Sequence, residues 1–146
     1  MGMHTWFECK IRYEKVMENG MQKKVTEPYL VDALSFTEAE ARIIEEMTPF
    51  ITGEFKVSAT KQTKYSEVVP SQQEVDDIWY KAKLNLITFD VNSGSEKKSP
   101  THILIQACDI RQAISYIDEH MKGTMADYEI EAVSDSKLMD VYPYES

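Results

Sequence analysis

The sequence predicts an α+β fold, a tandem duplication of a strand-strand-helix-strand unit with an antiparallel sheet packed against two helices. Three observations carry this. The chain matches itself at an offset of 73 to 74 residues, each half opens with an alternating apolar run, and each half holds one capped amphipathic helix. Trp6-Phe7-Glu8-Cys9-Lys10-Ile11 lies 73 positions before Trp79-Tyr80-Lys81-Ala82-Lys83-Leu84. Gly20, Lys23-Lys24 and Leu30-Val31 lie 74 positions before Gly94, Lys97-Lys98 and Leu104-Ile105. Beyond Met47 the offset returns to 73, pairing Phe55 with Tyr128, Val57 with Ile130 and Val68 with Val141. One residue is gained in the first loop and lost after the helix.

The elements follow in order. Phe7, Cys9, Ile11 and Tyr13 alternate with Trp6, Glu8, Lys10 and Arg12, the period of a strand with one buried face. Tyr80, Ala82, Leu84 and Leu86 repeat that pattern. Glu18-Asn19-Gly20 and Asn92-Ser93-Gly94 supply hairpin turns, because Asn and Gly tolerate the positive φ such turns need. The returning strands, about 24–34 and 98–108, put Val31 and Ala33, or Ile105 and Ala107, toward the core. Pro28 and Pro100 lack a ladder donor, which places them at an edge or a bulge. Ser35 with Glu38 and Asp109 with Gln112 cap helices starting near Phe36 and Ile110. Their apolar stripes are Phe36, Ala39, Ile43 and Met47, and Ile110, Ala113, Ile114, Ile117 and Met121. Pro49 and Gly123 end them, third strands follow at about 55–59 and 128–132, and shorter β segments near 65–69 and 138–142. The expected organisation is a first repeat at 1–69, a polar linker at 70–77 and a second repeat at 78–146, together one pseudo-twofold domain.

Charge narrows the function classes. The 146 residues carry 25 acidic and 16 basic side chains, a net of −9. Up to Val69 there are 11 acidic and 9 basic residues, and from Pro70 onward 14 and 7. Neutralising duplex DNA requires clustered cations, so non-specific duplex binding is disfavoured. No apolar run has the length of a membrane span and no signal-peptide stretch opens the chain, so a cytoplasmic location is expected. Cys9 and Cys108 are too few for a disulfide scaffold and read as reduced and mostly buried. No phosphate-binding loop, paired-cysteine zinc spacing or nucleophile elbow occurs. His4, His102 and His120 are scattered, and Glu38, Glu40, Glu45 and Glu46 fit a solvated helix face. The expectation is a non-enzyme with no cofactor, no metal site and no catalytic residues.

The strand face away from the helices is less ordinary. It carries Trp6, Lys10, Arg12, Lys24 and Leu30, repeated as Trp79, Lys81, Lys83, Lys98 and Leu104. Aromatic and basic residues interleaved on an open sheet suit a stacking platform for single-stranded nucleic acid. The other reading is a duplicated packing contact in which lysine stems cover apolar surface, and tryptophans at matching places in both halves favour it. The sequence therefore points to a non-catalytic binding or assembly module acting on a protein partner or on itself. The alternative is a single-stranded nucleic-acid accessory protein.

Three segments carry a resemblance across nearly the whole chain. They are Trp6-Phe7-Glu8-Cys9-Lys10, the run from Lys23 to Ala41 that includes Glu27-Pro28-Tyr29-Leu30-Val31-Asp32, and Met121-Lys122-Gly123-Thr124-Met125-Ala126-Asp127-Tyr128-Glu129-Ile130. In these the chain resembles an uncharacterised domain-of-unknown-function family associated with Bacteroidetes, their mobile elements and their phages. The resemblance implies no transferable activity and no catalytic residues. Its genomic setting implies a link to nucleic acid.

Overall fold

The structure, a computed structural model, describes residues 5–144. His4, considered above, lies outside them. In chain order the elements are β1 (Trp6–Val16), β2 (Gln22–Asp32), α1 (Phe36–Met47), β3 (Phe55–Gln62), β4 (Tyr65–Val69), β5 (Ile78–Phe89), β6 (Glu96–Ala107), α2 (Ile110–Lys122), β7 (Asp127–Asp135) and β8 (Asp140–Tyr142). The fold is α+β, as the alternation and the capped helices require. The strands form two mostly antiparallel sheets, in the orders β3-β1-β2-β8 and β4-β6-β5-β7, which answers a question the sequence leaves open.

Contacts divide the chain into two compact units. One runs to Lys64 and resumes at Leu138, and the other is Tyr65–Lys137. The short β segments explain why this differs from the expected cut at 70–77. β4 follows β3 in sequence but pairs in parallel with β6, and β8 follows β7 but pairs in parallel with β2. The first sheet thus takes its fourth strand from the C-terminal end of the chain, and the second takes its own from the segment that follows β3. The 70–77 segment is a built part of the second unit, not a free linker: Asp76 is buried and Ser71 N–H donates to Gln106 Oε1 at 2.9 Å.

In the first unit, β1 pairs antiparallel with β2 and with β3, and the β1–β2 turn closes at Gly20 with φ +83°. Phe7, Cys9, Ile11, Val31 and Ala33 meet Ala39, Ile43 and Met47 of α1 in one buried cluster. The Ser35 hydroxyl accepts from Glu38 N–H at 3.1 Å, the N-cap bond that spacing anticipates. Arg42 donates to the carbonyls of Asp32 and Pro143 and lies over the Tyr144 ring, fastening the C-terminal segment.

The second unit repeats the arrangement. β5 pairs with β6 and β7, the hairpin closes at Gly94 with φ +70°, and Asp109 accepts from Gln112 N–H at 2.8 Å. Tyr80, Ala82, Leu84, Ile103, Ile105 and Ala107 pack on Ala113, Ile117 and Met121. β-bulges fall at Lys10/Ile11 in one unit and Lys83/Leu84 in the other. Pro28 and Pro100 sit in interior strands, but in stretches that the short β8 and β4 do not reach, so no ladder donor is missed.

The helix stripes are narrower than expected. Phe36, Ile110 and Ile114 are exposed, and the buried stripes reduce to Ala39, Ile43 and Met47 in α1 and Ala113, Ile117 and Met121 in α2. Phe36 still meets Phe7 edge to face, with ring centroids 4.9 Å apart. Cys9 is buried, and burial pushes its thiol up to about 11, whereas Cys108, at the turn into α2, is exposed. Ile43 and Ile117 are fully buried at the centre of their stripes. Ile43→Ala and Ile117→Ala should each cost about 2–5 kcal/mol in a denaturant titration, against roughly 0.5 kcal/mol or less for Glu45→Ala.

Candidate binding faces

In an antiparallel pair, directly opposed residues share a face. On the face of the first sheet away from α1, Glu8 is opposite Leu30 and Lys61, Lys10 opposite Pro28 and Ala59, Arg12 opposite Thr26 and Lys56, and Glu14 opposite Lys24. The corresponding rows of the second sheet are Lys81 with Leu104 and Ser134, Lys83 with His102 and Ala132, Asn85 with Pro100 and Glu129, and Ile87 with Lys98.

These faces have two ends of different character. Trp6 and Trp79 are each 6% exposed, and Leu30 and Leu104 are fully buried. None of the four can meet a ligand from solvent in this structure, so an aromatic stacking platform is not presented. The carbonyl of each tryptophan also accepts twice from one residue. Thr63 donates to Trp6 O through N–H and Oγ1, both at 2.8 Å, and Ser136 donates to Trp79 O at 2.9 and 2.6 Å. The sequence reading missed this pair, although Thr63 and Ser136 stand at the same 73-residue offset.

Toward the hairpin turns the two sheets diverge. In the second, Lys83 pairs with Glu131 at 2.7 Å and Lys98 with Glu129 at 3.0 Å. Asn85 donates to both glutamates at 3.2 Å and joins the pairs into one network across β6, β5 and β7. Lys98 holds the Glu129 carboxyl below the usual range, Lys83 does the same for Glu131, and Glu129 in turn raises the Lys98 ammonium. Two of the candidate cations are therefore already neutralised. Lys81 remains exposed.

The first sheet has Lys56 and Ser58 where the second has Glu129 and Glu131, and Arg12 where it has Asn85. Lys10, Arg12, Lys24 and Lys56 are exposed, and none makes an ion pair among the described residues. Arg12 and Lys56, two cations, are direct cross-strand neighbours, an arrangement that is unfavourable by itself. Arg12, Lys24 and Lys56 line a cleft of about 760 Å³ with Tyr13, Val16 and Phe55, and Glu14 and Glu54 also border it. Sequence spacing located these cations. It gave no sign that one sheet supplies counter-ions and the other does not, since that depends on which β3 and β7 residues fall opposite them.

A second polar site lies in the second unit, where α2 faces the 69–73 segment. Its cleft is about 410 Å³ and is lined by Ser71, Gln72, Gln106, Tyr116 and His120 among others. Ser71 Oγ donates to Asp76 Oδ2 at 2.5 Å and Tyr116 OH donates to the same oxygen at 2.7 Å. Both hydroxyl protons thus point at one carboxylate, which anchors the segment on α2. His120 Nε2 is engaged by Glu67 Oε2. No group of three or more metal-ligating side chains occurs among the described residues, and no helix is long and apolar enough to cross a membrane.

The hydroxyls of Ser71 and Tyr116 hold the Asp76 carboxyl below the ordinary aspartate range. A carboxyl whose folded pKa is lowered adds stability above its unfolded pKa and loses it as pH falls through the folded value. Asp76→Asn should therefore melt below the wild type at pH 7, and the gap should close in melts taken at successively lower pH through the acidic range.

A family model described as a domain of unknown function, DUF4494, matches residues 5–144. No curated protein and no solved structure is a match.

Proposed function

The chain belongs to the DUF4494 family of domains of unknown function, and from that premise we propose that it is a non-catalytic binding module for a protein partner. The carrying observation is the contrast between the two sheets. One network closes Lys83 and Lys98 with carboxylates of the same sheet, while Lys10 and Lys24 at the matching places, with Arg12 and Lys56 between them, make no ion pair among the described residues, Glu14 opposite Lys24 included. Matching element order, bulges and caps support an origin by tandem duplication, after which one copy became electrostatically closed and the other stayed open. Leaving like charges opposed costs stability, and such costs persist where function needs them. A cytoplasmic setting in a phage or mobile element accords with the sequence resemblance. The nucleic-acid alternative retains the cations but loses the two tryptophans as its stacking surface, since both indoles are buried.

Lys56→Glu gives the first sheet the charge that Glu129 gives the second. At low salt it should raise Tm by roughly 1–4 °C, the scale expected from relieving one cross-strand repulsion. It should also weaken binding of poly-L-glutamate at least tenfold. A lower Tm with unchanged polyglutamate binding would remove the basis for an open binding face.

A further inference from the structure

The second sheet shows what kind of group satisfies this ladder. Its counter-ions are Glu129 and Glu131, two carboxylates at alternate positions of one extended strand, and they reach Lys98 and Lys83 on two neighbouring strands. Given the open basic face proposed above, on which this depends, we infer that the first sheet binds an extended acidic segment of a partner protein carrying carboxylates at alternate residues.

Geometry favours such a segment over other polyanions. Alternate residues of a strand are about 6.8 Å apart on one face, so the carboxylates of an acidic strand repeat at the same interval as Lys10 and Arg12 along β1. An edge is available to carry it. β3 is the outermost strand of its sheet, pairs with β1 on one side, and has Lys56 and Lys61 with no carboxylate from Phe55 to Lys64. A strand laid beside β3 would add main-chain bonds to the charge pairing. Lysines on an open edge also deter neutral or basic strands, so the feature that guards this edge selects for acidic ones. β7, the outer strand of the second sheet, carries Asp127, Glu129, Glu131 and Asp135 and no cation, so an acidic segment is repelled there. Lys61 is exposed and has only a distant ion pair, 4.0 Å from the half-buried Glu8, so it can turn to a ligand at modest cost. A nucleic-acid strand would meet the same cations, but it gains no edge hydrogen bonds and neither indole is accessible to its bases.

The test uses the full chain and labelled nine-residue probes at low salt, read by fluorescence anisotropy. The first probe is the chain's own alternating segment, Asp-Tyr-Glu-Ile-Glu-Ala-Val-Ser-Asp, with capped ends. The second has its glutamates replaced by glutamine, the third places both glutamates side by side, and the fourth is a nine-nucleotide oligo(dT). The expected result is that the alternating peptide binds at least tenfold more tightly than the other three. Arg12→Gln and Lys56→Gln should each lose most of that binding while melting at or above the wild-type temperature, and Lys97→Gln, an exposed cation of the other unit, should keep it. If oligo(dT) or the adjacent-glutamate peptide binds as well as the alternating one, the acidic-strand inference falls while the open basic face stands. If no probe binds, both fall.

Discussion

Cross-strand neighbours in an antiparallel sheet stand about 5 Å apart, and one helix covers only one face of a four-stranded sheet. These two constraints govern each unit. On the helix side the demand is met by packing, with Ile43 and Met47 against Phe7, Ile11 and Val31 in one case and Ile117 and Met121 against Leu84 and Ile105 in the other. On the far side it is met by burial near the tryptophans and by charge near the hairpin turns. The charges are where the two sheets part company: a carboxylate opposite Asn85 completes one ladder, and a lysine opposite Arg12 leaves the other incomplete.

Much of the fold was legible because it rests on local rules. Period-two alternation located β1 and β5, Asn-Gly chemistry located a hairpin turn, and Ser35 and Asp109 marked helix starts that the structure keeps. What sequence spacing could not supply were the long-range pairings. β4 and β8 were visible as short β segments, but nothing local says that each leaves the repeat it follows in sequence and pairs in parallel with a strand of the other repeat. The polar run from Pro70 to Asp77 looks like a linker by composition, yet the Asp76 carboxylate and the Gln106 amide make it a fixed part of α2's surroundings. Exposure of Cys108 follows from its place one residue past β6, where the alternation that buries Ala107 has ended.

The candidate face was legible in part for the same reason. Trp6, Lys10, Arg12, Lys24 and Leu30 do share one side of their sheet, as do their counterparts, because phase along a strand is a local property. Accessibility and neutralisation are not local. Burial withdraws Trp6, Leu30, Trp79 and Leu104. Glu129 and Glu131 then withdraw Lys98 and Lys83, and what remains in the first sheet is a row of cations with neither indole accessible beside it. That shift moves the weight from stacking toward charge, and from single-stranded nucleic acid toward an acidic protein segment.

The central claim is that the first sheet is electrostatically incomplete and the second complete, and two double-mutant cycles measure it most directly. One cycle removes Arg12 and Lys56 singly and together, and the other removes Asn85 and Glu129, each followed by denaturant unfolding at low salt. The Arg12–Lys56 coupling should be unfavourable by about 0.2–1 kcal/mol, the scale of like charges directly opposed on a sheet, and should fade as salt is added. The Asn85–Glu129 coupling should be favourable. A favourable or absent Arg12–Lys56 coupling at low salt would mean that the row finds its counter-charge within the chain, and the open face would not exist.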